Sequence, residues 1–151
     1  MTTARSRAVI AILLVGVAFA VASCSTGPTT LRGKLQQWAS GASYSSDAAQ
    51  INADLVNLQN GYRERKLLPL RTACEGFSAD AATLYGQLPT PDQTITDELG
   101  SSLNNFFGAS IDCYQSSTFS SAKFQQYLKL MRSATATYRR ALSQLGVYGV
   151  H

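Results

Sequence analysis

Between Ile51 and Leu145 the apolar residues recur three and four positions apart in four successive segments, the spacing that gathers them on one face of an α-helix. In the first segment the stripe is Ile51, Leu55, Leu58 and Tyr62. Ser45 or Ser46, ahead of Asp47, offers an N-cap, and Gly61 lies near the far end. The second stripe is Leu70, Cys74, Phe77, Ala81, Leu84 and Leu88. Pro69 sits in its first turn, where a missing N–H is tolerated. Pro89-Thr90-Pro91 ends it, because proline disfavours helical geometry in the residue before it. The third follows Asp92 as N-cap, with Ile95, Leu99, Leu103, Phe106, Ser110 and Cys113 in register. The fourth follows Thr118, Ser120 or Ser121 and holds its spacing from Phe124 through Leu128, Met131, Thr135, Tyr138 and Leu142 to Leu145, with Gly146 as its stop. No segment sustains the period-two alternation of a strand. The expectation is an all-α fold: an antiparallel four-helix bundle, with a short extra N-terminal helix over Leu31–Ala39 that carries Trp38. The seam positions Ala81, Ser110 and Thr135 are small, so the core is modest in buried area.

The first residues follow a different rule. Arg5 and Arg7 precede Ala8–Ala22, where 15 consecutive residues are apolar or glycine. A membrane-spanning helix needs roughly 20 such residues, whereas the apolar region of a secretory signal peptide takes roughly 7–15 and ends in small residues. The expectation is a signal peptide over residues 1–23, removed from the mature chain.

Val21-Ala22-Ser23-Cys24 resembles the lipobox of bacterial lipoproteins: an aliphatic residue, two small residues, then cysteine. The resemblance implies cleavage between Ser23 and Cys24 and lipidation of the Cys24 thiol, with acylation of the new amine. A single acyl chain holds a protein to a bilayer only marginally, at about 0.8 kcal/mol per buried methylene, and two or three chains hold it stably. Residues 24–30 then form the lipidated N-terminus and a Ser/Thr/Gly/Pro tether, and residues 31–151 the bundle domain. This places the protein at the cell membrane, lipid-anchored on the extracytoplasmic side. Loss of the signal removes two of 13 basic residues, leaving 11 against 9 acidic and a net charge of +2. No Lys/Arg cluster suits nucleic acid, and Arg63-Glu64-Arg65-Lys66 reads as a solvated helix end.

Cys74 and Cys113 remain after Cys24 is assigned. Export puts them in an oxidising compartment, both lie on apolar stripes, and only one pairing is available, so a disulfide between the second and third long helices is expected. The spacing raises a geometric question. Measured from a loop over residues 88–92, Cys74 lies 14 residues away and Cys113 lies 21, an offset of about 10 Å along the axis. Either the third long helix starts late, near Thr94 to Glu98, or the helices cross at an angle. The run Arg71-Thr72-Ala73-Cys74, the turn Leu88-Pro89-Thr90-Pro91-Asp92 and the later Cys113 also resemble small actinobacterial exported lipoproteins with a two-cysteine helical domain. That resemblance covers about two-thirds of the chain and implies the fold but no activity.

Catalytic chemistry finds little purchase. The lone histidine is His151, at the C-terminus. No set of three or four ligands assembles for a metal, so neither cofactor nor metal is expected. The candidate carboxylate pairs for chemistry without histidine are Asp47 with Asp54, Glu64 with Glu75, and Asp97 with Glu98. The expectation is a non-enzymatic module. Seven tyrosines and the pair Phe106-Phe107 are more suggestive of binding, and Phe107 stands one step off its stripe, a candidate for an exposed or second-face aromatic. Two roles follow. One is docking of an envelope protein partner, favoured by a packed core with an exposed aromatic patch. The other is carriage or sensing of a small apolar ligand or lipid between the helices, favoured by an apolar cavity.

Overall fold

Five helices account for nearly all the regular structure: α1 (Leu31–Gly41), α2 (Tyr44–Arg63), α3 (Leu67–Tyr85), α4 (Gln93–Tyr114) and α5 (Ala122–Val147). The computed structural model describes residues 27–151; the expected signal segment, the expected cleavage position Ser23–Cys24 and the expected lipidation site Cys24 lie outside the described residues. Three helices open on side-chain caps, two of which, Asp92 and Ser121, were expected from sequence. Thr30 Oγ1 accepts from the Gly33 N–H at 3.2 Å, Asp92 Oδ1 from Ile95 at 3.0 Å, and Ser121 Oγ from Phe124 at 3.2 Å.

Two ends differ from expectation. α2 starts at Tyr44 behind Ser43, whose φ is 54°, and not at Ser45 or Ser46. The side chain of Tyr44 is buried and its ring packs on Trp38 at 5.0 Å, so the tight α1–α2 turn, not a cap, decides where α2 begins. Ser45 Oγ instead donates to the His151 carbonyl at 2.6 Å. α5 runs through Gly146 and ends at Val147, one turn short of Val150. The left-handed residue is Gly149, φ 76°. Its N–H donates to Gly146 O at 3.0 Å and that of Val150 to Leu145 O at 3.2 Å, the paired bonds of a Schellman stop. Val150 is buried there, and a side chain at Gly149 would be strained.

The long helices form an antiparallel bundle in which each packs on its sequence neighbour, with α4 between α3 and α5 and α2 on the far side of α3. Antiparallel register shows in the side chains that meet. Asp112 pairs with Lys123 at 3.0 Å near one end of α4, and Glu98 with Arg140 at 3.6 Å near the other. An aromatic run crosses the core: Phe77 lies 4.9 Å from Phe106, and Phe106 lies 5.7 Å from Tyr138, in edge-on geometry. α1 lies over one end of the bundle, its Trp38 Nε1 donating to Gln87 O at 3.0 Å and its Arg32 Nη2 to Val147 O at 3.2 Å.

Cys74 and Cys113 stand at disulfide distance, with Cα atoms 6.3 Å apart. The offset noted from sequence is not met by a late start, since α4 begins at Gln93 directly after its Asp92 cap. Instead, the two ends of the loop are not level. The chain turns on past Tyr85 through Leu88, whose side chain reaches the level of Gly100. The first turns of α4 therefore extend beyond the end of α3. Thr90 ties the connecting segment to that overhang, its N–H donating to Thr96 Oγ1 at 2.9 Å.

Candidate functional site

α4 carries two stripes. Ile95, Leu99, Leu103 and Phe106 are buried in the core. Phe107, Ile111 and Tyr114, each one position further on or one turn along, face outward at 48, 40 and 51% exposure. They form one wall of an open groove of about 540 Å³ whose opposite side is α3. The α3 side is made of Ser78, Ala79 and Ala82, and Cys74 and Ser110 also line it. Small residues give the groove its depth, because helices 8–10 Å apart with little side-chain mass between them leave space at the surface. Ser110 Oγ satisfies itself on Phe106 O at 2.9 Å and so adds no unmet polarity. A smaller recess lined by Tyr85, Leu103 and Phe107 extends the row toward the α3 C-terminus. At the opposite limit the Arg71 guanidinium lies 5.1 Å over the Tyr114 ring. Phe107 is thus exposed, as its place off the stripe predicts. Its grouping with Tyr85 and Tyr114 depends on the α3–α4 register.

The carboxylates pair differently from the sequence expectation. Asp47 accepts a hydrogen bond from Gln87 Nε2, and Asp97 accepts from Gln93 Nε2 at 2.7 Å. Glu64 pairs with exposed Lys66 at 3.0 Å, Glu98 with Arg140, and Glu75 lines the α3–α4 groove. None of the three anticipated pairs converges on a cleft. Asp54 of α2 meets Asp80 of α3 instead, a juxtaposition between helices that no spacing within one helix could reveal. Partial burial, then the hydrogen bond to Asp80 and its charge, push the Asp54 carboxyl from 3.8 up to about 6, against the lowering effect of Gln50. The folded chain therefore holds this proton more tightly than the unfolded chain. Its contribution to stability is complete below about pH 4 and is lost as pH rises through about 6. Thermal melts should accordingly show a falling midpoint from pH 5 to pH 7. Asp54→Asn should flatten that dependence; an unchanged slope in the variant would contradict the raised Asp54 carboxyl.

The remaining sequence candidates are peripheral. His151 is exposed at the chain end. The basic run ends α2, and Arg65 lies over the Tyr62 and Phe119 rings at 5.3 and 5.6 Å. Among the described residues no three His, Cys, Asp or Glu side chains come together as a metal-ligand group, and no helix is long and apolar enough to cross a membrane. No protein-family model matches the chain, and neither a curated protein nor a solved structure shows significant similarity to it.

Proposed function

We propose that the protein is a cell-envelope lipoprotein, held at the extracytoplasmic face of the membrane through Cys24, whose bundle docks an envelope protein partner along the α3–α4 groove. The observation that carries this reading is the exposed row Phe107, Ile111 and Tyr114 of α4, extended by Tyr85 of α3, beside a floor of small residues, with the other face of α4 committed to the core. Aromatic side chains flanking a shallow apolar recess suit the anchor residues of a protein interface. Placement supports a protein over the bilayer as occupant. The chain enters the bundle at Leu31, beside Val147 and the end from which α4 starts, and Tyr114 lies about 30 Å further along α4. A tether attached at the first end leaves Ile111 and Tyr114 at the far part of the row, away from the attachment point, with Tyr85 nearest to it. The role assigned is binding, with no catalytic step and no cofactor.

Two measurements test it. Cys24→Ala in the full-length chain is expected to abolish the lipid mass shift and release the protein from membranes; retention would refute the anchor. A photo-crosslinking residue placed at Ile111 in intact cells is expected to give one discrete protein adduct. Phe107→Ala with Tyr114→Ala should remove at least about 90% of it, as loss of two anchor residues at about 2 kcal/mol each implies. An adduct insensitive to that pair would sink the docking face.

A further inference from the structure

α2 is the least committed of the long helices. It packs along α3, meets α1 at the Tyr44 turn, and leaves a crevice of about 450 Å³ on its α5 side. Only Tyr44, Ala48, Ile51 and Leu58 of α2 are buried, where α4 buries nine residues. Elements with few buried apolar contacts are the first to open in local unfolding. The closed position of α2 therefore rests on its seam with α3.

The register of that seam is fixed at both ends. Asp47, near the start of α2, accepts from Gln87 Nε2, and Gly61, near its end, lies against Leu70. Seven residues along each antiparallel chain from Asp47 and Gln87, about two helical turns, come Asp54 and Asp80, which face each other across the seam. Asp54 Oδ1 accepts from Gln50 Nε2 at 3.2 Å, whereas Oδ2 is closed to solvent and has no partner. Ionised, this carboxylate leaves a buried acceptor unmet beside a second negative charge; protonated, it donates to Asp80. Among the described residues neither aspartate makes an ion pair. The other charged groups of the surrounding helices are placed elsewhere. On α3, Arg71 lies over Tyr114 and Glu75 lines the α4 side. Lys34 of α1 borders a recess with Trp38 and Pro91, Arg32 of α1 donates to Val147 O, and Arg139 of α5 stands at the α2–α5 crevice, which Asp54 does not line.

We propose that Asp54 and Asp80 form an acid-sensitive clasp: in mildly acidic surroundings a protonated Asp54 donates to Asp80 and holds α2 closed on α3, and at neutral pH the ionised pair lets α2 open from the rest of the bundle. The Asp54 carboxyl, raised to about 6, sets the window. The closed state binds the proton more tightly, so acid favours closure and the preference is lost as pH rises through about 6. The opening is local. α3, α4 and α5 are held to one another by Cys74–Cys113 and by the Phe77, Phe106 and Tyr138 rings, none of which belongs to α2. What it uncovers is apolar: Ile51 and Leu58 of α2, and Leu70 of α3, against which Gly61 rests. The clasp lies across α3 from the α4 groove and does not depend on the partner-docking role.

Hydrogen exchange read by mass spectrometry tests it on the full chain at pH 5.0, 6.0 and 7.5, with intrinsic exchange rates divided out. Peptides from 51–63 are expected to lose about fivefold in protection from pH 5.0 to 7.5 relative to those from α4 and α5, a moderate change because both carboxyls are partly exposed. Asp54→Asn supplies an amide donor to Asp80 at every pH, and Asp80→Asn supplies one to Asp54. Each should keep 51–63 protected at pH 7.5 and remove the difference between pH values. The wild-type comparison needs no variant, so a substitution that fails to fold leaves the test intact. Equal loss of protection in α4 and α5, no loss in 51–63, or a loss that persists in a folded Asp54→Asn chain would each overturn the clasp.

Discussion

Phe106→Ala is expected to destabilise the bundle by about 3–5 kcal/mol, a loss large enough to lower the melting temperature by on the order of 15 °C. Phe106 is completely buried at the middle of α4, with Phe77 of α3 on one side and Tyr138 of α5 on the other. Truncation removes two edge-on ring contacts and leaves a void that three helices would have to shift to fill. The neighbouring Phe107→Ala is the informative contrast. Its ring is about half exposed and lines the α3–α4 groove, so its removal should change stability by no more than about 0.5 kcal/mol while weakening partner docking. Paired thermal and urea melts of the two variants measure this directly. Equal destabilisation would mean that the outward stripe of α4 is structural, and the docking face would lose its basis.

Removing the crosslink as Cys74→Ala with Cys113→Ala should cost roughly 4 kcal/mol, the loop-closure value for a sequence separation of 39. Two features make this bridge matter more than in a larger domain. Small residues thin the α3–α4 seam, so side-chain packing there buries less area. The bridge also joins the first half of α3 to the last turn of α4, beyond the reach of the loop that connects them. A reductant should lower the wild-type midpoint by a similar amount and leave the double variant unmoved. Because Cys74 lines the groove, reduction should also weaken the Ile111 crosslink. A wild-type midpoint indifferent to reductant would show that the bridge contributes nothing to the fold.

The chain's own order determined the helices and carries the proposed anchor. Apolar residues at three- and four-residue steps form a face whatever surrounds them, so the stripes Leu70–Leu84 and Ile95–Phe106 were legible as the core-facing sides of α3 and α4. In α5 the expected stripe was half right: Phe124, Tyr138 and Leu145 are buried, but Tyr127, Ala134 and Ala141 complete the core face, and Leu128, Met131, Thr135 and Leu142 flank it. Asp92 and Ser121 cap from their own side chains, and they too could be read locally. The expected lipidation of Cys24 rests on four consecutive residues behind an apolar run and requires no fold at all. What depends on one helix meeting another was not legible. Ser43 starts α2 because Tyr44 packs on Trp38, and Gly149 stops α5 where Val150 turns back into the core. The overhang of α4 past α3, which brings Cys74 level with Cys113, follows from where side chains of two surfaces interlock, and hydrophobic spacing within either helix carries no information about that offset. The same offset assembles Tyr85 with Phe107 and Tyr114, and the packing of α2 on α3 sets Asp54 against Asp80. Periodicity decides which face of a helix is buried; only tertiary packing decides which residues of different helices share a site.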